Sequence, residues 1–360
     1  MRPVLLRGYF GHGNWGDEIL LRALIAGLTC NGISAEKLHY WRGRDHAYQP
    51  AGISNSIPRG LHGIMAWAKA GAIIFSGGIF YDHLPAFGSL RLRSIYNIVW
   101  ITHASGKKAI LFGVSIGPLI TAQGRRLTRK ILKMVDGIWV RDRQSYQFCQ
   151  QTGVPCRLIP DLSTVFASRI AANPSPTGRK ELLFIPCQTG LTYCAQNRLL
   201  EILKPVAKTR DLTIRVVPLH AQADTDLARR LCRRQGVELV AEIFAEPLQL
   251  FARIKTAQFV VSARLHGAWA AYLTGRPFMQ INYHPKCRGF AETIHLPGEC
   301  LIDPNAEASA VRAGIDIWLA AESSIRAKLV PVKELEKKAM EAFVDLAGLL
   351  NQQTEGTPSG

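Results

Sequence analysis

Two short segments of this chain combine side chains that bind anions and transfer protons. The first segment, residues 262–267, contains Arg264 and His266, and the second, residues 282–286, ends at Lys286. Each segment directly follows a hydrophobic run that predicts a buried strand. In a parallel α/β sheet, ligands bind beyond the carboxyl ends of the strands. The two segments therefore predict a pocket for a small, multiply charged anion.

His266 is also expected to open a helix of small residues, and a helix N-terminus would add free backbone N–H groups and a positive dipole to the pocket. An interpretation without a ligand stays open at this point. Arg264 and Lys286 could pair with carboxylates of the protein itself, and His266 could simply be a first-turn residue of the helix.

The loop between the first predicted strand and the first predicted helix, residues 8–18, is the second informative segment. Its four glycines allow tight turns and a close approach of the backbone to a ligand. Neither the dinucleotide-binding fingerprint nor the P-loop pattern fits it. Asp17 has two interpretations that position alone does not separate: a first-turn carboxylate that stabilises the helix, or a carboxylate that acts on a substrate.

Small or charged residues follow most of the strands predicted in the first half of the chain. Gly77 and Gly78 follow one strand, with Asp82 close behind, while Gly117 follows the next strand and Arg141 a third. Each feature is weak by itself, since glycines are common in such turns. Together they are typical of the wall of a cleft.

Predicted strands and helices alternate along most of the chain, with one break at a segment rich in Pro, Ser, Asn and Gly. Two consecutive βα series joined in this way predict an α/β protein with two doubly wound Rossmann-like domains facing a cleft. The expected N-terminal domain, linker, C-terminal domain, C-terminal helices and disordered tail are residues 1–170, 171–180, 181–305, 306–351 and 352–360.

The composition agrees with two domains and adds a large positive charge. Of the 360 residues, 48% are hydrophobic, and 44 basic against 27 acidic residues give a formal charge of +17. Such an excess implies an anionic partner. We do not expect that partner to be nucleic acid, because the sequence has no pattern of a nucleic-acid-binding module and only 8% aromatic residues.

An anionic membrane surface is the other partner that the charge predicts. Basic residues cluster on two predicted helices, which could equally be solvated helix faces. The clusters are Arg125, Arg126, Arg129, Lys130 and Lys133 in one helix, and Arg229, Arg230, Arg233 and Arg234 in the other.

The sequence offers no targeting or metal-binding pattern. No apolar stretch approaches the roughly 18 residues of a membrane-spanning helix, and the first residues lead into a strand without the layout of a signal peptide. The eight cysteines form no C-x-x-C pair, so we expect reduced packing residues and no zinc. The expected location is the cytoplasm, either free or peripheral at the inner face of the cytoplasmic membrane.

Seven short motifs follow one another along the chain. They are G-Y-x-G-x-x-N-x-G-D-E at 8–18, a Gly-rich turn with Asp at 77–82, G-x-x-I-G-P at 113–118, R-D-x-x-S at 141–145, P-D at 160–161, R-L-H at 264–266 and Y-x-P-K at 283–286. Taken in order, these motifs resemble those of the polysaccharide pyruvyl transferases, a family with a glycosyltransferase-B-like (GT-B-like) fold. The resemblance covers most of the chain. The chain departs from the usual Gly, Gln and Asp of the family at Ser76, Val114 and His284.

The resemblance implies a reaction. Phosphoenolpyruvate is the donor and co-substrate, and neither a cofactor nor a metal is required. Two hydroxyls of one sugar in a cell-envelope or exopolysaccharide glycan add to the enol carbon, phosphate leaves, and a pyruvate ketal forms. The acceptor glycan can be attached to a lipid carrier. The C-terminal domain would hold the donor and the N-terminal domain the acceptor.

The resemblance also implies site residues. Arg141, Arg264 and Lys286 are the donor cations, and His266 is a phosphate ligand or general acid, because imidazole side chains titrate near neutral pH. Asp17 is the candidate base or ligand of the acceptor hydroxyl. The residues expected on the acceptor side or along the cleft are Gly11, Asn14, Asp17, Gly77, Gly78, Asp82 and Gly117.

Two other functions stay open. A nucleotide-sugar-dependent glycosyltransferase of GT-B fold would also explain a cleft with an anion site, although its usual acidic pair for the ribose is not evident in the C-terminal half. A non-catalytic, sugar-binding relative is the second alternative.

Overall fold

Hydrophobic runs without polar alternation form the central strands of two parallel sheets, as expected where helices cover both faces of a sheet. A computed structural model of the chain describes residues 2–42, 56–57, 60–82, 88–172, 178–240 and 248–352. The strands are β1 (Val4–Arg7), β2 (Leu38–Trp41), β3 (Ser56–Ile57), β4 (Ala72–Phe80), β5 (Lys108–Ile116), β6 (Gly137–Val140), β7 (Arg157–Leu158), β8 (Glu181–Ile185), β9 (Thr213–Val216), β10 (Glu238–Leu239), β11 (Phe259–Ser262), β12 (Phe278–Ile281) and β13 (Leu301–Ile302).

Helices connect most of these strands, and short 3-10 turns lie at 35–37, 162–166 and 298–300. The helices are α1 (Trp15–Cys30), α2 (Leu61–Lys69), α3 (Gly88–Ala104), α4 (Ala122–Leu132), α5 (Arg143–Gln151), α6 (Ala167–Ala172), α7 (Tyr193–Thr209), α8 (Ala223–Gln235), α9 (Leu248–Lys255), α10 (Leu265–Leu273), α11 (Pro285–Ile294), α12 (Ala308–Ala320), α13 (Glu322–Lys328) and α14 (Val332–Asn351). Among the described residues, none of them has the length and apolar character needed to cross a membrane.

Both sheets are doubly wound. The first has the strand order β3-β2-β1-β4-β5-β6-β7, and the second has the order β10-β9-β8-β11-β12-β13. All neighbouring strands in these sheets are parallel. The direction of winding reverses between β1 and β4 in the first sheet and between β8 and β11 in the second. The predicted fold class, two doubly wound α/β domains, is confirmed.

The two sheets belong to two compact units of the chain. The first unit comprises Met1–His12, Leu20–Val165 and Glu336–Gly360, and the second comprises Gly13–Ile19 and Phe166–Leu335. These units differ from a simple division of the chain into halves, because residues 13–19 join the second unit and most of α14 joins the first.

The ends of several helices follow from local capping residues. Thr121, Asp142 and Thr192 accept backbone hydrogen bonds at the N-termini of α4, α5 and α7, which satisfies donors that the helix leaves unpaired. Gly236 ends α8 in the left-handed conformation that glycine adopts readily. Helix α14 contributes to the first unit through Phe343, whose ring lies 4.8 Å from that of Phe112.

The strands that the sequence did not reveal lie toward the edges of the sheets. Strands β2, β3 and β13 are two to four residues long, and they lack the uninterrupted hydrophobic run that marks the central strands. The Gly-rich segment also differs from expectation, because β4 continues through Gly77 and Gly78 to Phe80. Register shifts against β5 accommodate the glycines within the strand. Residues 173–177 of the expected linker and 353–360 of the expected disordered tail lie outside the described residues.

Candidate active site

The carboxyl edge of the second sheet gathers polar residues around its topological switch point. Strands β8 and β11 are neighbours there, yet the chain leaves β8 for β9 and returns to β11 only later, so the connecting loops diverge and open a crevice. Ala263, just past β11, donates its N–H to the carbonyl of Ile185, the last residue of β8, at 2.8 Å. Helices α10 and α11 begin at this same edge, immediately after β11 and β12.

Arg264 lies at the switch point and is oriented by Asp224. Its Nε donates to Oδ2 of Asp224 at 2.7 Å, and its Nη2 donates to Oδ1 at 2.5 Å. Asp224 is fully buried in the first turn of α8 and also accepts a hydrogen bond from the N–H of Gln188, at 3.0 Å. The sequence left open whether Arg264 pairs with a carboxylate of the protein, and the structure shows that it pairs with Asp224.

The ion pair leaves part of the Arg264 guanidinium available. No hydrogen bond within the described residues engages its Nη1, and 15% of the side chain is exposed. Burial by itself would lower the pKa of Arg264, but Asp224 more than offsets this and raises it on balance. A charged guanidinium, fixed along one edge and available along the other, is suited to binding a carboxylate or a phosphate.

Tyr283 and Cys187 extend this polar cluster from both sides. Tyr283 follows β12 and reaches the loop after β8, where its hydroxyl lies 3.2 Å from Sγ of Cys187. The pKa of Tyr283 is raised well above its ordinary value, mainly by burial and secondly by the neighbouring Cys187. Its hydroxyl therefore stays protonated and able to donate a hydrogen bond. Gln196 holds the loop by exchanging hydrogen bonds of 2.9 Å with the backbone of Cys187.

The glycine loop of the N-terminus reaches this edge through residues 13–16. The N–H of Trp15 donates to the carbonyl of Leu219 at 2.8 Å, and the N–H of Ala221 donates to that of Gly13 at 2.9 Å. Asn14 and His220 form the antiparallel bridge between these contacts. The segment therefore adds to the loop after β9, and this pairing is the reason that residues 13–19 belong to the second unit.

His266 packs directly against this segment. It is the second residue of α10, and its ring lies edge-on to Trp15, with the ring centroids 6.5 Å apart. A methyl group on Gly16 would overlap Nδ1 of His266, so only glycine allows the helix start to approach the imidazole this closely. The structure thereby brings together the motif at 8–18 and the motif at 264–266, which lie in opposite halves of the sequence.

Asp17 lies one residue further along α1 and is part-buried. Its Oδ2 accepts a hydrogen bond from the side-chain amide of Asn14. A carboxylate in the first turn of a helix is favoured by the helix dipole, so Asp17 has a structural role at the start of α1. Its proposed role toward an acceptor stays a prediction.

Lys286 occupies the first turn of α11. His284 caps this helix, since its Nδ1 accepts the N–H of Lys286 at 3.2 Å. The family often has Asp at this position, and both side chains can accept such a hydrogen bond. The departure from the family pattern therefore preserves the start of α11, which sets the position of Lys286.

Arg141 belongs to the first unit and is tied to the P-D motif. Its Nη1 donates to Oδ2 of Asp161 at 2.7 Å, and its Nε donates to the hydroxyl of Ser115 at 2.8 Å. Asp161 also accepts from the hydroxyl of Ser163 at 2.7 Å. These bonds connect the end of β5 with the residues that follow β6 and β7, so Arg141 has a structural role within its unit. Its role toward the donor stays a prediction.

The remaining motif residues of the first unit also hold loops in place. Asp82 accepts the N–H groups of Ile120 and Thr121 at 2.6 and 3.0 Å. Burial would raise the pKa of Asp82, but the hydrogen bonds from Thr121 and Ile120 lower it overall. Ser145 ties the R-D-x-x-S motif to the end of β5, because its hydroxyl accepts the N–H of Ile116 at 2.7 Å.

The glycines expected along the cleft divide between strand and loop. Gly77 and Gly78 lie within β4, whereas Gly117 follows β5 and donates its N–H to the carbonyl of Phe80 at 2.7 Å. Gly11 is buried in the loop after β1. All four belong to the first unit, while Asn14, Asp17, Arg264, His266 and Lys286 belong to the second.

Three residues of the second-unit cluster had no role in the sequence-based prediction. Asp224 orients Arg264, while Cys187 and Tyr283 join the loops after β8 and β12. Asp224 follows a predicted strand, which is the signal that singled out Arg264 and Lys286, whereas Cys187 is the last residue of another predicted strand. The pairing of Asp224 with Arg264 depends on contacts 40 residues apart in the chain, and no sequence pattern encodes them.

Solved structures with the same fold include a UDP-GlcNAc 2-epimerase and two proteins in complex with UDP or with U2F. UDP-GlcNAc 2-epimerase of Methanocaldococcus jannaschii, in complex with UDP-GlcNAc and UDP, is 11% identical with a TM-score of 0.62, over 96% of this chain and 99% of that one. MnaA of S. aureus with UDP is 12% identical with a TM-score of 0.65, over 100% and 99%. Os79 of O. sativa, in complex with U2F and trichothecene, is 10% identical with a TM-score of 0.59, over 96% and 100%. At these identities the likeness shows the fold, which is GT-B-like.

Sequence comparison identifies the family. No curated protein matches the chain significantly. The family model described as polysaccharide pyruvyl transferase matches residues 14–285. This range begins at the segment that packs against His266 and ends at the first residue of α11. It includes Cys187, Asp224, Arg264, His266 and Tyr283, and Lys286 is the first residue beyond it. Because the match covers well over half of the chain, the protein belongs to the polysaccharide pyruvyl transferase family.

Proposed function

We propose that the protein transfers the pyruvyl unit of phosphoenolpyruvate to two hydroxyls of a saccharide and so forms a pyruvate ketal. The observation that carries this proposal is that His266, Arg264 and the start of α11 lie at the same carboxyl edge of the second sheet, at and beside its switch point. Phosphoenolpyruvate carries a carboxylate and a phosphate, which require several cationic or N–H donors within a small volume. Membership of the family supports the choice of donor.

The second unit would bind the donor. Arg264, fixed by Asp224, presents Nη1 to one of the donor's two anionic groups. Lys286 and the N-terminus of α11 bind the other anionic group. His266, at the N-terminus of α10, faces the phosphate. Arg141 of the first unit is the further donor cation that the family motifs imply.

The chemistry requires two proton transfers. One sugar hydroxyl adds to the enol carbon of phosphoenolpyruvate while the methylene carbon takes up a proton and becomes a methyl group. The bond between the former enol carbon and the phosphate oxygen then breaks, and the second hydroxyl adds to this carbon in place of phosphate. The two hydroxyl protons balance the one gained by the methyl group and the one released with phosphate. We assign His266 as the acid and Asp17 as the base or acceptor ligand.

The acceptor we propose is a sugar of a cell-envelope or exopolysaccharide glycan, either free or linked to a lipid. Asp17 and Asn14, with the first-unit residues Gly11, Gly77, Gly78, Asp82 and Gly117, are the proposed acceptor-side residues. The proposed location is cytoplasmic, with the protein peripheral at the inner face of the membrane where the acceptor is lipid-linked.

Incubation in deuterated water with phosphoenolpyruvate and a panel of envelope saccharides tests the reaction. We expect phosphate release in step with a product whose pyruvyl group is a methyl ketal that carries deuterium from the solvent, detected by NMR and mass spectrometry. A product that keeps a vinyl group, or phosphate release without any modified sugar, would contradict ketal formation. Transfer of sugar from UDP-GlcNAc, the ligand named for one structural neighbour, would instead favour a glycosyltransferase.

A further inference from the structure

The middle of the first unit carries an unusual concentration of positive charge. Residues 61–135 contain ten Lys and Arg residues but a single acidic residue, the buried Asp82. This segment therefore supplies more than half of the formal charge of +17. Helices α2, α3 and α4 all lie within it, and none of them contains a carboxylate.

These three helices lie on one face of the first sheet. The chain moves in one direction from β3 through β4 and β5 to β6, and right-handed crossovers then place the connecting helices on the same side. Two contacts agree with this placement. The indole of Trp67 in α2 donates to the hydroxyl of Thr102 in α3 at 3.0 Å, and Lys130 of α4 lies over the ring of Tyr96 in α3.

The outer surface of α2 is apolar, which reverses the usual pattern for a surface helix. Leu61, Ile64 and Met65 are 70%, 62% and 51% exposed, whereas Gly63 on the opposite side is buried. Their spacing places the three exposed side chains along a single stripe of the helix.

Exposed apolar side chains continue across the same layer. Trp100 is 54% exposed near the end of α3, next to Ile101, and Leu90 and Ile120 are exposed near the starts of α3 and α4. Basic side chains flank them, namely Lys69, Arg93, Arg126, Arg129, Lys130 and Lys133, all of which are exposed. We call this layer, formed by α2, α3 and α4, the basic-apolar face.

We propose that the basic-apolar face docks the protein on an anionic lipid bilayer. Exposed Leu, Ile, Met and Trp side chains can enter the boundary between headgroups and acyl chains, where Trp is enriched, while Lys and Arg attract anionic headgroups. A nucleic acid or an anionic glycan would meet the positive charge but would gain nothing from the apolar stripe. Charge and apolar exposure together therefore favour a bilayer.

The second basic cluster lacks this combination. Arg229, Arg230, Arg233 and Arg234 are exposed on α8 in the second unit, but Arg229 pairs with Asp226 and Arg230 lies over Tyr193. No large exposed apolar side chain lies on the described part of α8. This cluster has four exposed basic residues, as many as α4 and its C-cap carry, but no large exposed apolar side chains beside them. It is therefore a matched control.

Flotation with vesicles of phosphatidylcholine alone, and of phosphatidylcholine mixed equally with phosphatidylglycerol, tests the proposal on the full chain. We expect the wild type to bind only the mixed vesicles. Changing Arg126, Arg129, Lys130 and Lys133 to Gln should weaken this binding by about fivefold for each residue that approaches the lipid. Changing Leu61, Ile64 and Met65 to Gln should weaken it at least tenfold, by our order-of-magnitude expectation, while leaving the preference for anionic lipid unchanged.

Two controls separate the face from general effects of charge and hydrophobicity. The four Gln substitutions on α8, and Gln at the exposed positions Leu158, Ile317 and Val344, should each leave vesicle binding within about twofold of the wild type. Because the changed side chains are exposed, none of these variants should lose the fold, and unchanged thermal unfolding would establish this.

The proposal fails if the wild type does not bind mixed vesicles, if the α2 variant binds as well as the wild type, or if the α4 and α8 variants weaken binding equally. A competition with duplex DNA, added at the same phosphate concentration as the lipid, is a further test. The proposal fails if the DNA displaces the wild type from the vesicles but does not displace the α4 variant. The basic-apolar face lies outside the candidate active site, so the α2 and α4 variants should still transfer to a free saccharide. Failure of membrane docking therefore leaves the proposed reaction standing.

Discussion

Changing His266 to Asn is expected to reduce pyruvyl transfer by about a hundredfold to ten-thousandfold, the usual range for loss of a general acid. The donor should still bind, because Arg264 and the helix N-termini remain. Steady-state rates of phosphate release, together with donor affinity from calorimetry, would measure both effects. The matched control is His295→Asn at the exposed end of α11, which should retain full activity.

A second variant tests the same role without removing the imidazole. Gly16→Ala would push its new methyl group into Nδ1 of His266 and displace the ring. We expect turnover to fall well below that of the wild type, with only a small change in the temperature of thermal unfolding. Full turnover in both Gly16→Ala and His266→Asn would show that the imidazole does not take part in the reaction.

Removal of Asp224 is expected to destabilise the protein strongly. Asp224→Ala would leave the charge of Arg264 buried without its partner, which typically costs about 3–5 kcal/mol of unfolding free energy. Urea unfolding followed by circular dichroism measures this cost. Asp226→Ala is the control on the same helix, because its exposed pair with Arg229 should contribute no more than about 1 kcal/mol.

A double variant separates stability from donor binding. Arg264→Met with Asp224→Leu replaces the ion pair by apolar side chains of similar volume, which is often neutral or stabilising. We expect stability to recover toward that of the wild type while phosphoenolpyruvate binding stays lost. If the double variant binds the donor as well as the wild type does, Arg264 has only a structural role.

The sequence predicted the parts of the site that depend on strand ends, because buried hydrophobic runs mark the strands and ligands gather beyond them. Arg264, His266 and Lys286 were identified in this way, and the structure places them at the edge of the second sheet. The contacts that surround these residues could not be predicted from the sequence. The burial of Asp224 against Arg264 and the contact of Gly16 with His266 join residues that are distant in the chain, and a local pattern carries no information about such contacts.

The assignment of segments to units illustrates the same limit. Asp17 follows the first strand and was therefore assigned to the N-terminal domain, but the backbone pairing of Trp15 with Leu219 places residues 13–19 in the second unit. Strands β2, β3 and β13 lie at or next to a sheet edge and lack the hydrophobic run by which the central strands were recognised. Fold class, in contrast, depends on the repeated alternation of strands and helices, which many residues determine together.

The most direct test of the central claim is the choice of donor. Thermal unfolding should be measured with phosphoenolpyruvate, inorganic phosphate, pyruvate, UDP and UDP-GlcNAc. We predict that phosphoenolpyruvate stabilises the protein, by about 2.7 kcal/mol at a hundred times its dissociation constant, and that the Arg264→Met, Asp224→Leu variant loses this effect. Stabilisation by UDP-GlcNAc with none by phosphoenolpyruvate would contradict the account.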